Sequence, residues 1–157
     1  GTSEDALLSR LIDQATDFIH SYCGRIFPQA SYDEHYDGDG TEGLLASQYP
    51  IQSIALLSIG DVQKDQSSYV LYGQLGLIKL KSGVFPRGKK NIRLQYTAGY
   101  LTVPRDIEQA CVELVALKYY DRGRERLGVE ARGDTTFLTQ LPQEIKLVLD
   151  LYKRYGL

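Results

Sequence analysis

The sequence predicts an α+β fold: a helical bundle of about three helices with an inserted, small antiparallel β-sheet subdomain. Near both ends of the chain, apolar residues recur every three or four positions, which is the period of an amphipathic helix. Residues 30–100 lose that period and contain short runs of alternating apolar and polar residues, as in a strand with one buried face. We therefore expect a helical core over residues 1–25 and 101–157, with the inserted β subdomain over residues 26–100.

The first helix is predicted over residues 3–23. Acidic Glu4 and Asp5 would stabilise the positive N-terminal end of this helix. Gly24 suits the left-handed residue that follows many helices, and Pro28 prevents the helix from continuing. The predicted buried stripe consists of Leu8, Leu11, Ile12, Ala15, Phe18, Ile19 and Tyr22.

Short strands are predicted in the middle of the chain, at residues 32–36, 54–59, 69–72, 77–81 and 91–98. In the last of them, Ile92, Leu94 and Tyr96 alternate with polar residues, so one face of the sheet should be buried and the other solvated. Stretches rich in glycine, proline and aspartate, at 37–40 and 86–89, predict turns. This spacing is typical of a small antiparallel sheet or barrel.

Two further helices are predicted, the second from Pro104 to about residues 121–123 and the third from Pro142. Proline is tolerated in the first helical turn, because the N–H that it lacks would have no partner there. Residues 122–140 between these helices combine arginine, acidic residues and glycine with few apolar side chains. That composition predicts a long mobile loop in the isolated chain.

Composition excludes several classes of protein. Apolar residues make up 43% of the 157 and charged residues 24%, which is ordinary for a globular domain. The net charge of −2 argues against a broadly basic nucleic-acid-binding protein. Two cysteines do not form a disulfide framework, and no apolar run is long enough to cross a membrane. The acidic N-terminal residues do not resemble a secretory signal. With only two cysteines, the simplest compartment is the reducing cytosol.

Residues 38–43 match the spacing of a dinucleotide-binding loop, G-x-G-x-x-G. That function requires a helix directly afterwards, and the few residues before Pro50 are too short for one. We interpret the segment as a hairpin turn. Because Asp37, Asp39 and Glu42 offer hard oxygen ligands, a calcium loop over residues 37–42 stays open as an alternative, although the EF-hand spacing is not met.

The remaining candidates for chemistry have ordinary packing interpretations. Cys23 and Cys111 lie on predicted helical stripes, where a free cysteine acts as a small apolar residue. His20 and His35 are too far apart in the chain to define a metal site. The sequence contains no G-x-S-x-G, H-E-x-x-H or P-loop pattern. We therefore expect no enzyme, no cofactor and no metal.

Two basic segments are candidates for binding. Arg87, Lys89 and Lys90 form a basic turn, either a solvated hairpin tip or a contact to phosphate or to an acidic partner. The second segment is the predicted loop, either a solvated linker or a contact between subunits of a ring, since arginine is enriched at protein interfaces. Its arginines are Arg122, Arg124, Arg126 and Arg132.

Three stretches together resemble a known family. They are Ile-His-Ser-Tyr-Cys-Gly-Arg at 19–25, Leu-Gln-Tyr-Thr-Ala-Gly-Tyr at 94–100 and Val-Pro-Arg-Asp-Ile at 103–107. The chain resembles, over about residues 5–155, the head–tail connector (adaptor) proteins of tailed bacteriophages and related gene transfer agents. The similarity is to the longer members, which carry a β insertion between helices.

This resemblance implies a non-enzymatic protein of the virion, assembled in the cytoplasm of the host bacterium. Such adaptors form a ring, commonly of twelve subunits, beneath the portal protein. DNA passes through the lumen without specific recognition, and a stopper or tail-completion protein binds below. The C-terminal region usually contacts the portal, which here implies the third helix and residues 152–157. The resulting interface candidates are Tyr152, Lys153, Arg154 and Tyr155.

Two other functions stay open on the sequence alone. A nucleic-acid-binding module would use the basic turn and the loop arginines, and its affinity would fall steeply with salt. A small enzyme or ligand-binding domain would need a concave pocket with converging polar groups. For the adaptor we expect an isolated protein that is monomeric or weakly associated, with the ring templated by the portal.

Overall fold

A computed structural model of the protein describes residues 1–126 and 141–154, with residues 122–126 as backbone only. The fold is α+β, as predicted, and this part of the chain contains three helices and seven strands. Two short 3₁₀ turns flank β5, and the backbone divides into two units. The elements are α1 (Thr2–Cys23), β1 (Ala30–Gly38), β2 (Gly43–Leu45), β3 (Ile51–Ile59), β4 (Val62–Gln63), β5 (Tyr69–Tyr72), β6 (Leu77–Leu80), β7 (Gly88–Ala98), α2 (Arg105–Arg126) and α3 (Gln143–Leu151).

The first unit comprises Gly1–Arg25 and Val103–Leu157 and contains the three helices. Each helix contacts the other two, so the three form the predicted bundle. No helix in the described ranges combines the length and the apolar character that crossing a bilayer requires. The core residues recur mostly at three- or four-residue steps along each helix: Leu11, Ala15, Ile19 and Cys23 on α1, Ile107, Ala110 and Leu114 on α2, and Ile145 and Leu149 on α3.

The ends of α1 and α2 follow from local chemistry. α1 stops at Gly24, whose φ of 68° is left-handed and whose N–H donates to the His20 carbonyl. α2 starts directly after Pro104, whose carbonyl accepts from the N–H groups of Ile107 and Glu108. The predicted end of α2, near residues 121–123, is wrong, because the helix continues through Arg126. Glycine at position 123 costs about 1 kcal/mol in a helix, and the neighbouring arginines and Glu125 favour helix.

The second unit, Ile26–Thr102, contains two antiparallel sheets. One has the strand order β1-β7-β3-β4 and the other β2-β6-β5. β7 pairs with β1 on one side and β3 on the other, and its residues alternate between buried and partly exposed. The predicted strands are all present. β2 and β4 were not predicted, since three and two residues are too few to show a period.

The two sheets share one hydrophobic core. Ile92, Leu94 and Tyr96 of β7 belong to it, together with Leu44 of β2 and Ile78 of β6. Fully burying a side chain of this size stabilises a fold by about 1.5–3 kcal/mol. This core gives the β unit its own rigid framework.

The second half of the predicted turn at 86–89 is strand. β7 starts at Gly88, which pairs with Gly38, and the register shifts between Gly38 and Tyr36. Lys90 has a φ of +50° at this irregularity. The Asn91 side chain accepts from the Gly38 N–H (2.8 Å) and donates to the Pro86 carbonyl (2.7 Å), which explains why a bulged strand end replaces a simple turn.

Gly99 occupies a position that admits no other residue without strain. Its φ is +106°, and a Cβ there would lie 2.4 Å from the Pro28 carbonyl oxygen. We expect Gly99→Ala to lower the free energy of unfolding by about 3 kcal/mol, from backbone strain and the clash together. Gly83→Ala is the matched control, because Gly83 has φ +81° but open space around it. Urea denaturation of both variants measures the difference in the free energy of unfolding. Equal losses of stability for the two variants would contradict a clash at Gly99.

Candidate functional site

The segment that follows α3 crosses the C-terminal end of α1. α3 ends at Leu151, and the next residues are not helical. The Arg154 N–H donates to the Cys23 carbonyl (2.8 Å), and the Cys23 thiol donates to the Leu149 carbonyl (3.5 Å). Nη1 of Arg25, which is buried, donates to the Tyr152 carbonyl at 3.5 Å. Backbone and side-chain bonds therefore attach residues 152–154 to the helical bundle.

Two tyrosine–carboxylate bonds and one cation–π contact add to this attachment. The Tyr22 hydroxyl donates to Asp150 Oδ1 at 2.6 Å, and the Tyr152 hydroxyl lies 2.9 Å from both oxygens of Asp106. Lys153 Nζ lies 4.7 Å from the centroid of the Tyr22 ring. We call these five residues, Tyr22, Asp106, Asp150, Tyr152 and Lys153, the C-terminal clasp. All of them belong to the helical unit.

Charge within the clasp favours the arrangement at neutral pH. The hydrogen bond to Asp150, with a smaller effect of burial, raises the pKa of Tyr22 to about 12. The same bond, together with Lys146 and Lys153, lowers the pKa of Asp150. Burial raises the pKa of the Cys23 thiol to about 11. The tyrosine stays protonated and the aspartate stays ionised, so the bond between them is charge-assisted.

Alkaline titration should reveal this bond. Because the folded pKa of Tyr22 lies above its ordinary value of 10, its stabilising contribution is complete below pH 10 and is lost as the pH rises towards 12. We expect Tyr22→Phe to remove one tyrosinate signal that appears near pH 12, measured by absorbance at about 295 nm while the protein is still folded by circular dichroism. If the signal that disappears titrates near pH 10, the bond to Asp150 is not formed in solution.

The predicted interface residues that the structure describes all belong to the helical unit. Tyr152, Lys153 and Arg154 lie together at the clasp, while Tyr155 and Arg132 lie outside the described residues. The predicted loop is helical over its first five positions, and residues 127–140 lie outside the described residues. The three remaining loop arginines are Arg122, Arg124 and Arg126. Their backbone is helical, at the end of α2, and their side chains lie outside the described part of the structure.

The predicted basic turn of the β unit is exposed and lies next to acidic residues. It consists of Arg87, Lys89 and Lys90. The Lys90 N–H donates to Asp37 Oδ1 at 2.6 Å. The pKa of Asp39 is lowered, mainly by its hydrogen bonds from Thr41 and to a smaller degree by the charge of Arg87. Two carboxylates therefore offset part of the positive charge, and a phosphate contact at this place stays a prediction.

The segment at 37–42 has the contacts of a structural turn. Asp39 Oδ1 accepts from the hydroxyl (2.6 Å) and the N–H (3.0 Å) of Thr41, and Glu42 pairs with Lys79 at 3.0 Å. Strand β2 follows at Gly43, where dinucleotide binding would need a helix, so that function is excluded here. Within residues 1–126 and 141–154, no three His, Cys, Asp or Glu side chains come together as a ligand set.

A polar cluster in the β unit was not predicted from the sequence. Glu34 of β1 accepts hydrogen bonds from the hydroxyls of Tyr36 (2.6 Å), Ser47 (2.6 Å) and Tyr96. The pKa values of Tyr36 and Tyr96 are raised, mainly by burial and to a smaller degree by the hydrogen bond to Glu34. Their hydroxyls therefore stay protonated. The available signal was the alternation in β1, which places Glu34 on the same face as Tyr32 and Tyr36. The cluster joins β1, β7 and the chain after β2, and its role is structural.

Exposed apolar residues recur on the outside of α2 and α3. On α2, Val112 (60% exposed) and Tyr120 (71% exposed) are eight positions apart, and the half-buried Ala116 lies midway between them. On α3, Leu147 and Leu151 are also four apart, and Leu151 is 80% exposed. Rows of this kind mark surfaces that contact other proteins. The sequence pattern showed only the buried stripe of each helix.

One protein family and several solved structures are similar to this chain. The profile of the family described as "Head completion protein" matches residues 1–155. Similar folds occur in the neck of an empty gene transfer agent particle computed with C6 symmetry (TM-score 0.68, 14% identity, 98% of this chain and 80% of that one). The neck of a native particle computed with C12 symmetry contains another (TM-score 0.67, 13% identity, 98% and 87%). A chain in the virion of the native particle also matches (TM-score 0.64, 14% identity, 98% and 80%). No curated protein sequence matches the chain significantly.

Proposed function

We propose that this chain, which belongs to the head completion protein family, is a structural protein of the head–tail neck and the subunit of a ring beneath the portal. The solved necks with similar chains were computed with C6 and C12 symmetry, which supports a ring of twelve copies. DNA would pass through the lumen without specific recognition. The net charge of −2, and the acidic residues beside the basic strand end, are compatible with a channel that does not retain DNA.

A ring needs two different surfaces on each subunit, because each copy contacts its neighbours head to tail. The row of Val112, Ala116 and Tyr120 on α2 supplies an apolar surface of this kind. The same helix continues into its arginine-rich end, so we assign both to the contact between neighbouring copies. The arginines are Arg122, Arg124 and Arg126, with Arg132 beyond the helix.

The contact to the portal protein is assigned to the C-terminal residues. The observation that supports this assignment is the attachment of residues 152–154 to the bundle, which holds Tyr152, Lys153 and Arg154 in a defined place. Tyr155, the next residue in the sequence, lies outside the described residues. A preordered segment loses less conformational freedom on binding and so binds more tightly.

A stopper or tail-completion protein is the expected partner on the tail side. The β unit offers an apolar surface on the outer face of its smaller sheet, where Leu45, Leu77 and Tyr72 are neighbours across the strands. Leu45 is 55% and Tyr72 46% exposed. We assign this face to the tail-side partner.

Mixing the purified protein with purified portal rings tests the proposal. We expect a monomer or weak oligomer alone, and co-sedimentation with the portal in a density gradient when the two are mixed. Val112→Asp should reduce the number of copies bound, because it places a charge in the apolar contact between copies, while its circular dichroism stays that of the original protein. A stable dimer with a closed two-fold interface, which does not bind the portal, would contradict the proposal.

A further inference from the structure

The hydroxyl of Tyr32 is a buried polar group for which the described residues offer no hydrogen-bond partner. Tyr32 lies in β1, and its ring packs against the hydrophobic core of the β unit. Its Oη atom is shielded from solvent, and no donor or acceptor of residues 1–126 or 141–154 lies within hydrogen-bond distance of it. Nearly all buried hydroxyls in folded proteins bond either to the protein or to ordered water, so this one requires a partner of its own.

Tyr32 lies beside the polar cluster around Glu34. It pairs with Tyr96 across β1 and β7, and the centroids of the two rings are 5.4 Å apart. Glu34 is two positions further along β1, on the same face of the strand, and it accepts from the Tyr96 hydroxyl. The pKa of Tyr32 is raised, mainly by burial and to a smaller degree by the negative charge of Glu34. The Tyr32 hydroxyl is therefore near enough to feel the carboxylate, but too far from it for a direct bond.

We infer that the β unit binds one ordered water molecule between the Tyr32 hydroxyl and the Glu34 carboxylate. A single water bridges polar groups that are separated by more than a direct hydrogen bond. It is retained inside a protein where about two to four polar partners surround it, and the cluster supplies such groups. The protons balance, because the water accepts from the Tyr32 hydroxyl and donates to Glu34, which as a carboxylate can only accept.

The bridge would extend the cluster along β1. The hydroxyls of Tyr36 and Tyr96 reach Glu34 directly, and the hydroxyl of Tyr32 would reach it through the water. If instead the Tyr32 hydroxyl had no partner, it would destabilise the fold, and phenylalanine would be the better residue at this position. The two possibilities therefore predict opposite signs for the same substitution. Neither depends on the proposed ring.

Tyr32→Phe in the full chain is the first test, because it removes only the hydroxyl and keeps the ring. We expect the melting temperature to fall by about 3 °C, since one buried hydrogen-bond connection to the cluster is lost. Tyr72→Phe is the matched control. Tyr72 is 46% exposed on β5, so water solvates its surroundings in any case and the melting temperature should change by less than about 1 °C. An unchanged or higher melting temperature for Tyr32→Phe would overturn the inference.

A high-resolution crystal structure of the full chain locates the water directly. We expect electron density for one water within about 3.2 Å of both Tyr32 Oη and a carboxylate oxygen of Glu34. In crystals of Tyr32→Phe that density should weaken or vanish, because the water loses a donor. A structure in which no water lies at this position, or in which the Tyr32 hydroxyl bonds directly to a protein group, would show that the site does not exist.

Discussion

Replacing Glu34 by alanine should lower the free energy of unfolding by about 3 kcal/mol, since it leaves buried hydroxyls without their charged acceptor. Glu34 accepts from Tyr36, Ser47 and Tyr96 at once, and Tyr96 is only 2% exposed. The tyrosine hydroxyls also accept from the N–H groups of Ser47 and Gln48, so the loss would loosen the chain after β2. For a protein of this size the melting temperature should fall by about 6–12 °C.

Near-UV circular dichroism is a suitable measurement, because the chain has twelve tyrosines and no tryptophan. Glu34→Gln keeps one acceptor oxygen and should recover part of the loss. Asp33→Ala is the matched control on the adjacent residue, where an exposed pair with Arg93 is removed instead, and it should change stability much less. Equal losses for the two alanine variants would show that the cluster adds nothing beyond a surface ion pair.

Removing residues 152–157 should reduce portal binding by at least about 100-fold, because the proposed interface loses Tyr152, Lys153 and Arg154. α3 should stay folded, since Ile145 and Leu149 remain. Biolayer interferometry with immobilised portal rings measures the affinity, and far-UV circular dichroism checks the helices.

A chain that ends at Arg154 is the informative control for this truncation. It keeps the clasp and removes only residues 155–157. We expect intermediate binding, because Tyr152, Lys153 and Arg154 stay in place. Full binding by the chain that ends at Leu151 would place the portal contact elsewhere on the molecule.

Local pattern was sufficient to predict the helices and most strands. The helical periods of α1 and α3, the glycine after α1 and the alternation in β7 each depend on residues that are close in the chain. Within the predicted buried stripe of α1, however, Leu8 and Ile12 are exposed. The end of α2 was misjudged because glycine was given more weight than the helix-forming residues around Gly123. β2 and β4 were missed because they are stabilised by pairing with β6 and β3, which local pattern does not show.

The contacts that form the C-terminal clasp and the cluster around Glu34 could not be predicted from local sequence pattern. Tyr22 and Asp150 are 128 positions apart, and the sequence assigned Tyr22 to the buried stripe of α1. The cluster around Glu34 joins positions separated by up to 62 residues. The family, by contrast, was recognisable from short stretches at the ends of elements. Similar chains keep the fold at 13–14% identity, which shows how few residues the architecture requires.

The most direct test of the ring beneath the portal is cryo-electron microscopy of the protein bound to portal rings, reconstructed without imposed symmetry. The account predicts twelve copies around an open lumen, with the C-terminal segments against the portal and α2 between neighbouring copies. A reconstruction in which the β unit contacts the portal, or in which the protein binds as separate dimers with no closed ring, would contradict it.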